Sequence, residues 1–265
     1  MKETYLDVLA DVCKNYTVAL VSDLHNIRNP ELTDSLKKQM PDYIAVNGDL
    51  LYAVNPYHSI YEHVPESGQH LRNAPNAIEF LTDAVKIAPV LFSTGNHELY
   101  LDEEDRALLL EIGVNYLDDG YCRFGELVFG GLSSPYKIFA GAGIVHKRVE
   151  HKRRWKMVFE NVNTTWLDEF EGQEGYKILL CHHPEFYEPF LKNRKGIDIV
   201  LAGHAHGGQI RLFDRGLFAY GQGWFPKYTK GLYDGKMIVS SGLANTSKIP
   251  RIGNPTELVY VELSP

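Results

Sequence analysis

Five short segments of this chain share one construction: an unbroken apolar run, rich in β-branched residues, that stops at a polar cluster. They read TVALVSDLH, DYIAVNGDL, PVLFSTGNHE, YKILLCHHP and IDIVLAGHAHGGQ. A strand with one wet face alternates apolar and polar residues, so unbroken apolarity predicts strands covered on both faces, within a sheet beneath helices. Helical candidates lie between the runs. PELTDSLKKQM precedes the second and NAIEFLTDAVKIA the third, while DEEDRALLLEIG follows the third with an acidic first turn and a glycine stop. Further on, YCRFGELVFGGL reads as a hairpin around Gly125, and GKMIVSSGL and ELVYVEL read as strands. The expected architecture is an α/β sandwich of two mixed sheets with helices outside, as one domain over residues 1–265 with a core from about 17 to 263. Residues 52–75 and 133–165 lack a clear period and are expected to be loops or a lid.

Each polar cluster stands just past a strand end, where side chains of open α/β sheets converge on a shared crevice. The clusters supply Asp23 and His25, then Asp49, then Asn96 and His97, then His182 beside His183, then His204 and His206. One histidine after a strand is ordinarily a hydrogen-bonded structural residue; five strand ends each offering Asp, Asn or His are a different matter. Carboxylates, an amide and several imidazoles form a ligand set for first-row divalent ions, and the lack of thiolates argues against a purely structural zinc. The set is too large for one ion. Two ions about 3.5–4 Å apart, bridged by a carboxylate and a hydroxide, are an arrangement used to hydrolyse phosphate esters.

The bulk properties narrow the field. A formal charge of -7 argues against sequence-independent nucleic-acid binding, which depends on Lys and Arg to neutralise phosphates. Cys13, Cys122 and Cys181 lie far apart, so no disulfide framework is implied and a reducing compartment is expected. Acidic residues interrupt the N-terminal stretch where a signal peptide needs an apolar one, and no run approaches the ~20 residues of a membrane span. The expectation is a cytoplasmic protein without a membrane anchor.

In residues and order, DLH, NGDL, GNHE, HHP and GHAH resemble the motifs of the calcineurin-like metallophosphoesterases: D-x-H, G-D, G-N-H-E/D, H and G-H-x-H. The tail GHAHGGQIRLF, with KGLY, VSSGL and NPTELVYVEL, is similar to a bacterial GHxHGGQ branch, and the likeness runs from about Val18 to Leu263. The resemblance implies a four-layer α/β/β/α sandwich and a dinuclear centre of Mn, Fe, Zn or Mg. It assigns Asp23, His25 and His206 to one ion, Asn96, His182 and His204 to the other, and Asp49 to both. It also implies in-line attack by a metal-bridging hydroxide on a small phosphate ester, a phosphodiester ahead of a monoester, with His97 off the metals and assisting at the phosphoryl group or leaving oxygen. Two departures stand out. The family's G-D-x-x-D ends here in Tyr52, where an Asp would orient the catalytic histidine, and the glycine after D-x-H is replaced by Asn26.

Alternatives are a catalytically silent binding module on the same fold, a phosphomonoesterase or pyrophosphatase, and other zinc hydrolases, whose H-x-H motifs stand in a different order. His183 reads as a neighbour of the ligand, because Pro184 marks His182 in the H-x-P pattern, and Cys181 as a small buried hydrophobe. The basic stretch HKRVEHKRRWKMVFE reads as a solvated helix face, with a positive rim for an anionic substrate as the alternative. His58, His63, His70 and the aromatic GWFPKY segment are possible pocket linings that no spacing demands.

Overall fold

The structure, a computed structural model, describes residues 1–52, 70–98, 101–134, 162–219, 221–246 and 249–265, with the backbone of 144–148 and 155–159. Two six-stranded mixed sheets form its centre. The first contains, in spatial order, β1 (Lys2–Leu9), β18 (Glu257–Ser264), β2 (Tyr16–Val21), β3 (Tyr43–Asn47), β4 (Val90–Ser93) and β5 (Asn115–Tyr116). Only the β18/β2 pair is antiparallel. The second contains β16 (Gly231–Tyr233), β17 (Met237–Val239), β11 (Ile199–Ala202), β10 (Tyr176–Cys181), β7 (Leu127–Leu132) and β6 (Gly120–Phe124), antiparallel at its two outer pairs and parallel between them.

Successive side chains of a strand enter different layers, which explains the unbroken apolar runs. In β10, Ile178 and Leu180 join Val18, Leu20, Ala45, Leu91 and Phe129 between the two sheets. Leu179 points the other way, to Phe170 of α4 (Leu167–Glu171) and to Phe186 and Leu191. On the outer face of the first sheet, Val46, Val90 and Phe92 pack on Leu32 and Leu36 of α1 (Pro30–Gln39), Phe80 and Leu81 of α2 (Pro75–Ala84) and Leu109 of α3 (Glu103–Ile112). The result is the α/β/β/α sandwich. The acidic first turn and glycine stop read for the third helix are both present, and the structure adds the caps. Asn29 accepts from Leu32 N at 3.2 Å ahead of Pro30, and Asp102 and Asp105 form a capping box that Gly113 closes in a left-handed turn at the far end.

Three readings change. β1 lies ahead of the stretch read as the core, yet it pairs in parallel with β18 from Lys2↔Glu257 to Leu9↔Ser264. An edge strand with partly exposed faces lacks the unbroken apolarity that reveals the others. The basic stretch is not helical where it is described: β8 (Ile144–Arg148) and β9 (Trp155–Phe159) form an antiparallel pair, in keeping with the strand-forming Ile, Val, Trp and Phe in both. Two small hairpins, β12 (Arg211–Leu212) with β13 (Arg215–Gly216) and β14 (Phe218–Ala219) with β15 (Gly223–Trp224), follow the histidine-rich motif. Most of the proposed lid, 53–69, 135–143, 149–154 and 160–161, lies outside the described residues, as do His58 and His63. Among the described residues no helix is long and apolar enough to cross a membrane.

Candidate metal centre

The C-terminal ends of β2, β3, β4, β10 and β11 open onto one crevice between the sheets, and the loops beyond them take tight left-handed turns. Asp23 (φ 57°), His25 (φ 51°), Asp49 (φ 51°), His204 (φ 61°) and His206 (φ 45°) all lie in the region that normally favours glycine. Each such residue costs on the order of 1 kcal/mol, and this strain is concentrated where side chains must be re-aimed within one or two residues of a strand. Neighbouring backbone holds the turns, through Asp23 N to Gly48 O at 3.1 Å and His25 N to Asp49 O at 2.9 Å. A side chain at position 95 would strike Asp49 Oδ1 at 2.3 Å, so glycine there lets the third loop close over the second.

Two triads result. Asp23, His25 and His206 bring one ligand atom each within 4.8 Å of one another, and so do Asp49, His182 and His204. Asp49 stands between them: its Oδ2 is 3.9 Å from His25 Nε2 and 3.2 Å from His182 Nε2. His182 Nε2 is 4.0 Å and His206 Nε2 3.5 Å from Asp23 Oδ1. His97 Nε2 also lies 3.9 Å from Asp49 Oδ2, but its side chain is 21% exposed while those of His25 and His182 are 0% exposed. It occupies the solvent side of the crevice, with its ring centre 6.0 Å from that of a near-parallel Tyr52 and 4.6 Å from that of His25, which it meets edge to face. Tyr52, standing where an Asp was expected, contacts His97 through its ring.

These groups fit divalent cations. Asp23 Oδ1, His25 Nε2, Asn96 Oδ1 and His182 Nε2 are buried with no hydrogen-bond partner, an arrangement that costs free energy unless something positive binds there. The opposite edges of two rings are committed: His25 Nδ1 to Leu51 O at 3.1 Å and His182 Nδ1 to Asn47 O at 2.8 Å. Such bonds place a ring proton on Nδ1, which leaves Nε2 of neutral His25 bare, while His182, held charged by Asp49, binds a cation by giving up its Nε2 proton. Burial, reinforced by neighbouring imidazoles or by the Arg251 guanidinium beside His206, lowers His25, His204 and His206 to about 3 and keeps them neutral, the form that binds metal. In the Asp49–His182 pair burial opposes both charges, but mutual attraction dominates, holding Asp49 low and His182 high.

Three residues of the centre, Glu98, Arg251 and Glu185, have no counterpart among the sequence candidates, while His183 reads in the sequence as a neighbour of His182. Glu98, the last letter of GNHE, is 2% exposed and clamps two ligand loops: Oε2 accepts from Asp49 N at 2.9 Å and Gly95 N at 2.6 Å, and Oε1 from Leu51 N at 2.9 Å. Arg251 Nη2 lies 3.1 Å from His206 Nδ1. His183 meets Ser134 Oγ at 2.9 Å through Nε2, and with Glu185 and His204 it forms a further group of possible ligands. Burial lifts the Glu185 carboxyl to about 7 against the pull of His182 and Gln222. His70 lies elsewhere, 2.8 Å from Asp105 at the start of α3. In the GWFPKY segment Trp224 and Phe225 are exposed and Tyr228 is buried.

A two-sheet sandwich with carboxylate, amide and imidazole groups at its strand ends is the architecture of a metal-dependent phosphoesterase. The chain belongs to the calcineurin-like phosphoesterase family, whose model matches residues 16–208 and so takes in every ligand candidate. It is 25% identical over 253 residues to "Uncharacterized protein YpbG" of Bacillus subtilis, covering 93% of this chain and 80% of that one. It is 26% identical to "Uncharacterized metallophosphoesterase Cj0846" of Campylobacter jejuni, covering 94% of this chain but 59% of the relative. A second Bacillus subtilis protein, "Uncharacterized metallophosphoesterase YkoQ", is 25% identical, with coverage of 94% and 84%.

Proposed function

We propose that the chain is a dinuclear metal-dependent phosphohydrolase that prefers phosphodiesters. Asp23, His25 and His206 hold one ion, Asn96, His182 and His204 the other, and Asp49 serves both. One observation carries this reading above the rest: Asp49 Oδ2 is approached by His25 from the first triad and His182 from the second, amid buried polar atoms that lack partners. When bound, the two ions supply positive charge against the phosphoryl oxygens and make a water acidic enough to attack phosphorus near neutral pH.

The remaining work falls to the chain. Carbonyl contacts on Nδ1 keep the His25 and His182 rings aimed inward. Glu98 fixes the Asp49 and Gly95 loops, so the carboxylate need not reorganise during the reaction. His97, at the wet edge, gives a hydrogen bond or a proton from Nε2 to the phosphoryl group or the departing oxygen. Tyr52 and His25 restrain its ring.

Hydrolysis of bis(p-nitrophenyl) phosphate and p-nitrophenyl phosphate with Mn²⁺, Fe²⁺, Zn²⁺ or Mg²⁺ tests the reading, together with metal content by mass spectrometry. The expected result is two ions per chain and faster cleavage of the diester. Faster cleavage of the monoester would overturn the substrate preference. No turnover with any ion would identify a silent binding module.

A further inference from the structure

Glu185 follows His182, His183 and Pro184 on a short turn, Pro184–Phe186, beside the second triad. Its side chain is 3% exposed, and both carboxylate oxygens are buried without a hydrogen-bond partner. Gln222 gives one amide hydrogen to Tyr228 O at 2.5 Å, and its second lies toward Glu185 and pulls the carboxyl down only in part. A buried acceptor of this kind is expensive unless a donor is provided for it.

Two imidazoles face this carboxylate: His183 Nδ1 lies 3.9 Å from Oε2, and His204 stands on the Oε1 side. A ring nitrogen of His204 and a carboxylate oxygen of Glu185 lie within 4.8 Å of one another. A methyl group on Gly221 would meet Glu185 Oε1 at 2.2 Å and His204 Nε2 at 3.2 Å, so these two atoms flank the same point. Nε2 is therefore the nitrogen on the Glu185 side of the ring, and Nδ1 remains for the side shared with Asp49 and His182. A neutral imidazole carries one proton, and a nitrogen that binds a cation cannot be the one carrying it. His204 thus differs from His25 and His182, which are braced by carbonyls at Nδ1.

We propose that Glu185 is a positioning residue for His204: its carboxylate accepts the Nε2 proton, directly or through one water, and so holds Nδ1 bare and aimed at the second cation. The inference rests on the dinuclear reading above. It divides the outer contacts between carbonyls, which orient His25 and His182, and a carboxylate, which orients His204 and raises its basicity as a ligand.

The test is a metal titration of chelator-stripped protein with Mn²⁺ or Zn²⁺ against a chromophoric chelator, for wild type, Glu185→Ala and Glu185→Gln. Thermal unfolding of each is followed with and without metal. Wild type should bind two ions. Glu185→Ala should weaken one binding step roughly 10–100-fold and leave the other unchanged, while Glu185→Gln, which keeps an acceptor oxygen, should recover most of the loss. The stripped variants should melt no lower than stripped wild type, because a buried carboxylate without a partner has been removed. Unchanged affinity at both steps in Glu185→Ala would overturn the proposal. So would an equal fall in melting temperature with and without metal, which marks a purely structural role. Three ions in wild type and two in Glu185→Ala would make Glu185 a ligand instead. Fewer than two ions in wild type would remove the dinuclear reading itself, a failure distinct from the others.

Discussion

Among the described residues, two clusters have the composition and spacing to hold a metal ion, and they differ in nearly everything else. One is the crevice between the sheets. The other, His70 with Asp102 and Asp105, sits at the start of α3. In the crevice Asp23 Oδ1, His25 Nε2, Asn96 Oδ1 and His182 Nε2 are buried without hydrogen-bond partners, and five residues adopt left-handed backbone. At α3 the groups are already satisfied. Arg72 reaches Asp102 with both terminal nitrogens, at 2.8 and 3.0 Å, and Asp105 at 3.0 Å, while His70 Nδ1 meets Asp105 at 2.8 Å. His70 and Asp102 have ordinary extended backbone, φ -90° and -109°. The guanidinium occupies the role that an ion would have, and the carboxylates also cap a helix. Ligand spacing is therefore a weak criterion; unsatisfied burial and local strain distinguish a site from a brace.

The largest expected effect comes from the hinge of the first cluster. Asp49→Ala should lower turnover at least about 10⁴-fold, ~5.4 kcal/mol of transition-state stabilisation, with metal content falling below that of wild type by mass spectrometry. Asp102→Ala, in the second cluster, should leave both turnover and metal content close to wild type. Comparable losses in the two variants would erase the distinction.

His97→Ala sharpens the contrast within the crevice. Turnover should fall about 10²–10⁴-fold while both ions stay bound, because His97 occupies the solvent edge of the centre. Loss of an ion would place His97 among the ligands, which its 3.9 Å approach to Asp49 makes a direct question for metal analysis.

How much of this was legible in the sequence follows from the same contrast. Asp23, Asp49, Asn96, His182 and His204 could be read because each follows an unbroken apolar run, and a strand end is a place that chain order alone defines. The third helix could be read from its acidic first turn and glycine stop. Glu98, Glu185 and Arg251 could not, since their roles depend on which backbone or ring lies across the crevice, and sequence carries no label for that. His70 shows the converse. A histidine in a loop rich in Tyr and Pro offers a pocket role that no spacing demands, and the position of Arg72 and α3 reveals it as part of a helix brace. β1 escaped for a simpler reason: a strand at a sheet edge needs little apolar surface, and its pairing partner is the far C-terminal β18.

Glu98 gives the third test. Glu98→Gln retains one oxygen for Asp49 N and Gly95 N but turns an NH₂ group toward Leu51 N, so two donors face each other in a buried site. The expected cost is about 1–3 kcal/mol in chemical denaturation, with weakened metal binding because the two opposed donors at Leu51 push aside the side chain that holds Asp49 N. A variant as stable as wild type would mean that the ligand loops hold their strained turns unaided.

The smallest effect belongs to Arg72→Ala, and it bears most directly on the comparison. The substitution leaves His70, Asp102 and Asp105 in place without their guanidinium, so geometry alone would turn the second cluster into a metal site. The expected outcome is a slightly lower melting temperature, less so at high salt, and no additional ion by mass spectrometry. The side chain of Asp102 is 43% exposed and its oxygens also cap α3 through Glu104 N and Asp105 N, so water and backbone satisfy it once Arg72 is gone. In the crevice neither is at hand for the oxygen of Asp23 or the nitrogen of His182 that faces it. An extra ion bound by Arg72→Ala would show that a single cationic side chain, rather than burial and strain, separates a brace from a metal centre in this fold.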